Sequence, residues 1–401
     1  MTLSILGMSA ALPVIDRIAE FHADMTAWRR RLHAHPETAF EERRTAGFVA
    51  AKLGEFGIQV DRGLAVTGVV GTIEGGDGPA IGLRADMDAL GVSEANDFAH
   101  RSTAGGKMHA CGHDGHAAML LGAARYLAET RRFKGTVHFI FQPAEEIEGG
   151  GRVMIEDGLF DKFPVDGVYG MHNWPGLPVG RFALRAGAMK AACDIFEITV
   201  TGRGGHAAMP HLGADPIPAA CEMVSALQTI VSRLANPVDS AVLTVTRLRA
   251  GETTNTIPDT AVLGGTTRSF LEATRDMIEA RMRLIADHVA AAHGVAAEVR
   301  YERRYPSLVN HRKEAETAAA AAAAVVGADN VDADAPPNMG AEDFAYMLER
   351  VPGCYVLIGA GESSPPLHAS TFDFNDEILA IGASYWAKLV ETVLGVPDRG
   401  A

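Results

Sequence analysis

The sequence predicts an α/β protein: a mostly parallel sheet flanked by helices, interrupted by an inserted α+β domain with a four-stranded antiparallel sheet and two helices. Three observations predict it. In the first part of the chain, short apolar runs alternate with amphipathic stretches, as buried strands and their covering helices do. Near residue 190 the pattern changes to strands that alternate polar and apolar residues, as half-exposed strands do. Beyond residue 303 the α/β rhythm returns. Residues 1–188 and 304–401 therefore read as one domain, and residues 189–303 as a separate, inserted one. A chain of 401 residues has room for two or three domains.

Taken in order, Thr38-Ala-Phe-Glu41 is a capping-box pattern that predicts a helix carrying Phe40, Val49, Leu53 and Phe56, closed by Gly54 and Gly57. Val66–Ile73 and Ala80–Ala85 read as strands split by the turn Gly75-Gly-Asp-Gly78. His116–Ala128 places Met119, Leu120, Ala123 and Leu127 on one helical face. Thr136–Phe141 and Val168–Met171 are apolar runs of strand length. In the inserted domain, strand Ile195–Thr201 precedes helix Pro216–Leu234, strands Ala241–Leu248 and Thr260–Thr267, helix Glu272–His293 and strand Ala297–Tyr301. Helix Lys313–Val326, helix Glu342–Arg350 and strand Cys354–Ile358 follow; the alanine run Ala318–Ala324 favours helix over linker.

The apolar fraction of 47% and charged fraction of 21% are those of a folded globular protein. A formal net charge of −14 disfavours a nucleic-acid role, because an acidic surface repels phosphate. Four scattered cysteines, Cys111, Cys193, Cys221 and Cys354, are too few for a disulfide framework in a chain this long and suit a reducing compartment. No run of apolar residues is long enough to span a membrane. The first fifteen residues lean apolar but lack a basic start and contain Pro13, a poor pattern for a cleaved signal. A cytoplasmic protein is expected.

Several clusters could carry chemistry. His109-Ala-Cys-Gly-His-Asp-Gly-His116 offers a thiol at Cys111 and an imidazole at His113, both ligands for borderline divalent metals; His109 and His116 are surplus to the simplest site. Gln142-Pro-Ala-Glu-Glu146 sets two carboxylates at the exit of an apolar strand, where they repel unless a cation or proton neutralises them. A dinuclear metal site does so: one carboxylate binds metal and its neighbour moves the proton of the attacking water. His172 follows another apolar strand, and His368 lies in a loop. Ligands of open α/β sheets collect at the carboxyl ends of strands. In Leu83-Arg-Ala-Asp-Met-Asp88, Asp88, and less readily Asp86, could orient a ligand histidine. Inside the insertion, His206 in a glycine-rich loop, Asn255 before a strand and Arg268 at a strand end could hold a carbonyl and a carboxylate. His-Glu-x-x-His, P-loop, Gly-x-Ser-x-Gly and dinucleotide fingerprints are missing, so those enzyme classes drop out.

Eight segments occur in an order that resembles the M20 metallopeptidase superfamily. They are Arg30-Arg-Leu-His-Ala-His-Pro-Glu37, Arg84-Ala-Asp-Met-Asp-Ala-Leu90, Lys107–His116, Phe141–Glu146, Gly170-Met-His172, Gly204-Gly-His-Ala207, Thr254-Asn-Thr-Ile-Pro-Asp259 and Gly340-Ala-Glu-Asp-Phe344. The nearest branch is the amidohydrolases: hippurate hydrolase, N-acyl-amino-acid amidohydrolases and auxin-conjugate hydrolases. The resemblance covers roughly residues 28–390 and implies a catalytic domain with an inserted lid through which the protein dimerises. It implies two divalent ions per subunit, Mn²⁺ expected and Zn²⁺, Co²⁺ or Ni²⁺ possible, held by Cys111, His113, Glu146, His172 and His368. Cys111 stands where many relatives have Asp. Glu145 matches the general base, and His206 a lid histidine that completes the partner subunit's site. Asn255, Arg268 and Gly340 match substrate-contacting positions. Two departures are Gly91 in place of Pro, and Ile147-Glu148 ahead of the glycines that usually follow the glutamate pair at once.

The function these readings imply is hydrolysis of the amide bond of a small N-acyl amino acid, with no nucleic-acid or membrane partner. The alternatives are a dipeptidase using the same site and a relative that binds acyl amino acids without cleaving them.

Overall fold

The computed structural model describes residues 14–397; the leader reading of the first residues falls largely outside that range. The chain forms two compact units. The first takes in residues up to Gly187, Asn310–Pro336 and the chain from Tyr346; the second comprises Ala188–Val309 and Pro337–Ala345.

The first unit is built on an eight-stranded sheet. Its spatial order is Gln59–Arg62, Val69–Glu74, Thr136–Gln142, Ala80–Asp86, Gly167–Pro175, Gly353–Gly361, Phe182–Ala183 and Val331–Asp332. The four central strands, from Thr136–Gln142 to Gly353–Gly361, are mutually parallel. They are buried over almost their whole length because helices cover the sheet. The covering helices include His22–His33, Arg43–Glu55, His113–Thr130, Arg312–Val326 and Leu379–Leu394. The last of these packs on both His113–Thr130 and Arg312–Val326 and buries Tyr385, Trp386, Leu389 and Val390 in the main core.

Register positions the site. Asp86 pairs with Gln142, and Arg84 pairs with Gly170. With strands parallel, the turns after Asp86 and Gln142 and the stretch around His172 therefore emerge level with one another at the carboxyl edge of the sheet.

The second unit is an antiparallel sheet in the order Ala241–Ala250, Thr260–Ser269, Ala192–Thr201, Ala296–Arg303. Strand Ala192–Thr201 alternates buried residues with half-buried ones as far as Val200 and ends on the exposed Thr201. Its inward Phe196, Ile198 and Val200 meet Met223 and Leu227 of helix Pro216–Thr229 and Ile278 and Met282 of helix Glu272–His293.

Two local expectations change. The helix foreseen after Thr38 starts at Arg43. Thr38 Oγ1 donates to Glu41 instead of capping an amide, Phe40 has φ 60°, and the Glu37 carboxylate takes the free N–H groups of Arg44 and Thr45. The helix foreseen over Glu342–Arg350 shrinks to Ala345–Leu348. Ahead of it, the side chains of Asn338 and Glu342 accept the N–H groups of Gly340 and Phe344, a local bonding that competes with helix.

Candidate metal centre

Five potential donors converge at the carboxyl edge of the first unit's sheet. Cys111 and His113 flank Gly112, which has φ 98° and caps helix His113–Thr130. A Cβ there would lie 2.2 Å from Asn173 Oδ1, so only glycine lets this turn seat against the strand that carries His172. Glu145 and Glu146 follow Ala144, itself left-handed at φ 55°. His368 is left-handed too, at φ 65°, and its N–H donates to the Ala110 carbonyl at 2.7 Å, tying the distal loop to the cysteine turn.

Cys111 Sγ lies 3.3 Å from His172 Nε2. His113 Nε2 is 3.7 Å from Glu146 Oε1, and His368 Nε2 is 3.4 Å from Glu146 Oε2. Ligand atoms of Cys111, His113 and His172 all lie within 4.8 Å of one another; so do those of Cys111, Glu146 and His368, and those of His113, Glu145 and Glu146. Cys111 belongs to both of the first two groups. Every member is buried or nearly so except His368, whose side chain is 53% exposed.

The imidazoles are aimed by their other nitrogens. His113 Nδ1 lies 3.1 Å from Asp88 Oδ1 and 3.0 Å from the Asp88 carbonyl, and His172 Nδ1 donates to the Asn173 carbonyl at 2.6 Å. Both Nε2 atoms are left facing the cysteine, as second-partner hydrogen bonds do for metal-binding histidines. The other oxygen of Asp88 accepts the Glu146 N–H at 3.0 Å. Among the described residues, His113 Nε2 and Glu146 Oε1 are buried and make no hydrogen bond. Buried polar atoms rarely stay unpartnered. Burial and the Glu146 carboxylate push the Cys111 thiol well up. Burial opposes a charge on His113, but Asp86 and Cys111 outweigh it and hold its pKa well above the usual value. The concentration of acids around this pocket calls for positive charge.

The sequence left His116 outside the simplest site and ranked Asp86 behind Asp88. In the structure they form a pair at 2.6 Å, and His116 Nε2 also accepts the Asn173 N–H at 3.0 Å. Asp86 in addition takes Arg84 Nη1 at 2.6 Å. His109 is buried. Glu42, which no motif reading flagged, accepts the Ala144 N–H at 3.0 Å.

The remaining candidates lie in the second unit. His206 and Asn255 come together there: the two-residue strand Gly205–His206 pairs with Thr256–Ile257, and the Ala207 N–H donates to the Asn255 carbonyl at 3.0 Å. Both side chains are exposed. Arg268 lies opposite Cys193 on the sheet and bonds Thr266 Oγ1 and the Thr267 carbonyl. The Gly340 carbonyl accepts from the Ala191 N–H at 3.2 Å.

Residues 82–392 match peptidase family M20/M25/M40. The chain is 40% identical over 377 residues to the hippurate hydrolase of Campylobacter jejuni, covering 94% of this chain and 98% of that one. It is also 40% identical over 377 residues to an N-acetylcysteine deacetylase of Bacillus subtilis, covering 93% and 98%. Among solved structures, a Bacillus subtilis protein described as a dinuclear metal binding peptidase from the M20 family superposes with a TM-score of 0.83 at 37% identity, covering 94% of this chain and all of that one. With most of its length matched and relatives this similar end to end, the chain belongs to peptidase family M20/M25/M40.

Proposed function

We propose that the protein is a metal-dependent amidohydrolase that cleaves N-acyl amino acids to a carboxylic acid and a free amino acid. The observation that carries this reading is the membership of Cys111 in two donor groups, Cys111/His113/His172 and Cys111/Glu146/His368, with Glu145 beside them. Sulfur, imidazole and carboxylate donors suit borderline divalent ions, and the two orphaned atoms, His113 Nε2 and Glu146 Oε1, fit the same assignment. His113 and His172 would hold one ion, Glu146 and His368 a second, and Cys111 both. Bound there, the ions would lower the pKa of water and polarise the scissile carbonyl.

The chain's own groups supply the rest. Glu145, next to Glu146 but outside both donor groups, takes a proton from the attacking water and returns it to the leaving amine. His206 would stabilise the developing oxyanion, and Asn255, Arg268 and Gly340 would hold the substrate carboxylate and its surroundings. We assign the inserted unit the role of lid and dimerisation domain. Strand Ala241–Ala250 supports this, being an edge strand ten residues long with one side unpaired in the described sheet. Mn²⁺ is the proposed ion. Residence in the cytoplasm is proposed on the four free thiols; among the described residues no helix is long and apolar enough to cross a membrane.

The test is a chelated sample reconstituted separately with Mn²⁺, Zn²⁺, Co²⁺ and Ni²⁺ and assayed on hippurate, other N-acyl amino acids and dipeptides. Metal-restored release of free amino acid from the acyl substrates supports the reading. Turnover of dipeptides alone makes the protein a dipeptidase, and tight binding of acyl amino acids without release makes it a binding protein.

A further inference from the structure

A third glutamate lies buried behind the segment that presents Glu145 and Glu146. Glu42 is shut off from solvent, at the residue before helix Arg43–Glu55. One carboxylate oxygen accepts the Ala144 N–H at 3.0 Å and the other accepts the Thr67 hydroxyl at 2.7 Å. Burial pushes its carboxyl up to about 7, so the charged form is costly at this place.

What it holds is a strained peptide. Ala144 has φ 55°, a left-handed conformation that is unfavourable for a residue with a Cβ. Such a residue keeps that conformation only where its surroundings determine it. Here the N–H is held by Glu42, and the carbonyl accepts the Gly150 N–H at 3.0 Å. Gly150 sits so close over the turn that a Cβ would lie 1.8 Å from the Pro143 carbonyl oxygen. The next pin is on Glu146, whose N–H bonds Asp88. Between the two pins stands Glu145.

We propose that Glu42 is a positioning residue for the hydrolytic step: by fixing the left-handed Ala144 peptide it sets the direction in which Glu145 leaves the strand end, while Asp88 separately fixes Glu146. This rests on the reading of Glu145 as the base. The role needs a long side chain with an acceptor at its tip and does not need the charge. Gln keeps that acceptor for Ala144 and can donate to Thr67 with its amide. Asp keeps the charge but is one methylene too short.

The test compares wild type, Glu42→Gln and Glu42→Asp, each loaded with Mn²⁺. Three readouts are taken: kcat and KM on hippurate, bound metal by elemental analysis, and amide exchange of the segment around Ala144. Glu42→Gln is expected within about threefold of wild type in kcat, and Glu42→Asp about a hundredfold lower, the loss typical of a base displaced by an ångström. In both, KM and bound metal stay close to wild type, and exchange at Ala144 quickens only in Glu42→Asp. Wild-type kcat in Glu42→Asp overturns the proposal, as does equal loss in both variants or loss of metal from Glu42→Asp. A loaded wild type that does not turn over acyl amino acids sinks the base reading and this proposal together; an active wild type with an unimpaired Glu42→Asp sinks this proposal alone.

Discussion

Cys111 Sγ lies 3.3 Å from His172 Nε2, although the two residues are 61 positions apart and sit on a helix-capping turn and a central strand. Because the same sulfur also belongs to the group with Glu146 and His368, it is the one donor whose removal touches both proposed ion positions. Cys111→Ser replaces a thiolate by a poor ligand. The expected outcome is loss of most of both ions, with affinity down by more than the 10–100-fold typical of an outer-shell change. Elemental analysis after gel filtration checks it; two ions retained at wild-type affinity would remove Cys111 from the ligand set. Cys111→Asp, which restores a bridging-capable anion, is expected to recover part of the binding.

Glu145 is buried and close to His113 and Glu146, yet outside the two groups that include Cys111. Glu145→Gln keeps the volume and removes the proton carrier. The expected kcat loss is about 10²–10⁴-fold, the usual share of general acid–base catalysis, with bound metal unchanged. Hydrolysis of hippurate near the wild-type rate would exclude Glu145 as base.

Asp88 holds two groups at once, the His113 ring and the Glu146 N–H. Asp88→Ala frees both and is expected to weaken metal binding by about 10–100-fold. Asp88→Asn keeps one acceptor and is expected to fall between. Competition with a chromogenic chelator measures both variants; unchanged affinity in Asp88→Ala would leave Asp88 with a role in the turn alone.

Part of the candidate site was legible where a sequence pattern breaks: His172 and the Glu145-Glu146 pair at apolar strands, Cys111 and His113 at a glycine-punctuated helix start; His368, in a loop, was marked by the family resemblance. Of the groups around them, Asp88 was legible as a partner for a histidine, and the others were not. Glu42 acts through the backbone N–H of Ala144, 102 positions away, and a backbone donor leaves no mark on residue type. His116 looked surplus because its partners, Asp86 and Asn173, are brought to it only by the parallel register of the strands. The Thr38 capping pattern misled because Glu37, one residue earlier, reaches the helix amides first.

A final expectation concerns pH and stability. His33 is fully buried, with Nδ1 2.9 Å from Asp114 and Nε2 3.2 Å from Glu94. Burial disfavours its charge, but the hydrogen bonds to Asp114 and Glu94 more than offset this and raise its pKa to about 9. A folded-state pKa above the unfolded value means that the folded protein binds the proton more tightly. The contribution is therefore complete below about pH 6.5 and is lost as pH rises to about 9, roughly 3 kcal/mol across that window. His33→Gln cannot carry the charge. The stability gap between wild type and His33→Gln, from urea midpoints, is thus expected to be widest near pH 6 and to narrow steadily toward about pH 9. A gap that stays constant over that range, or widens with rising pH, would show that His33 is neutral in the folded protein and that Asp114 is balanced by Arg29, whose Nη1 lies 3.7 Å from it.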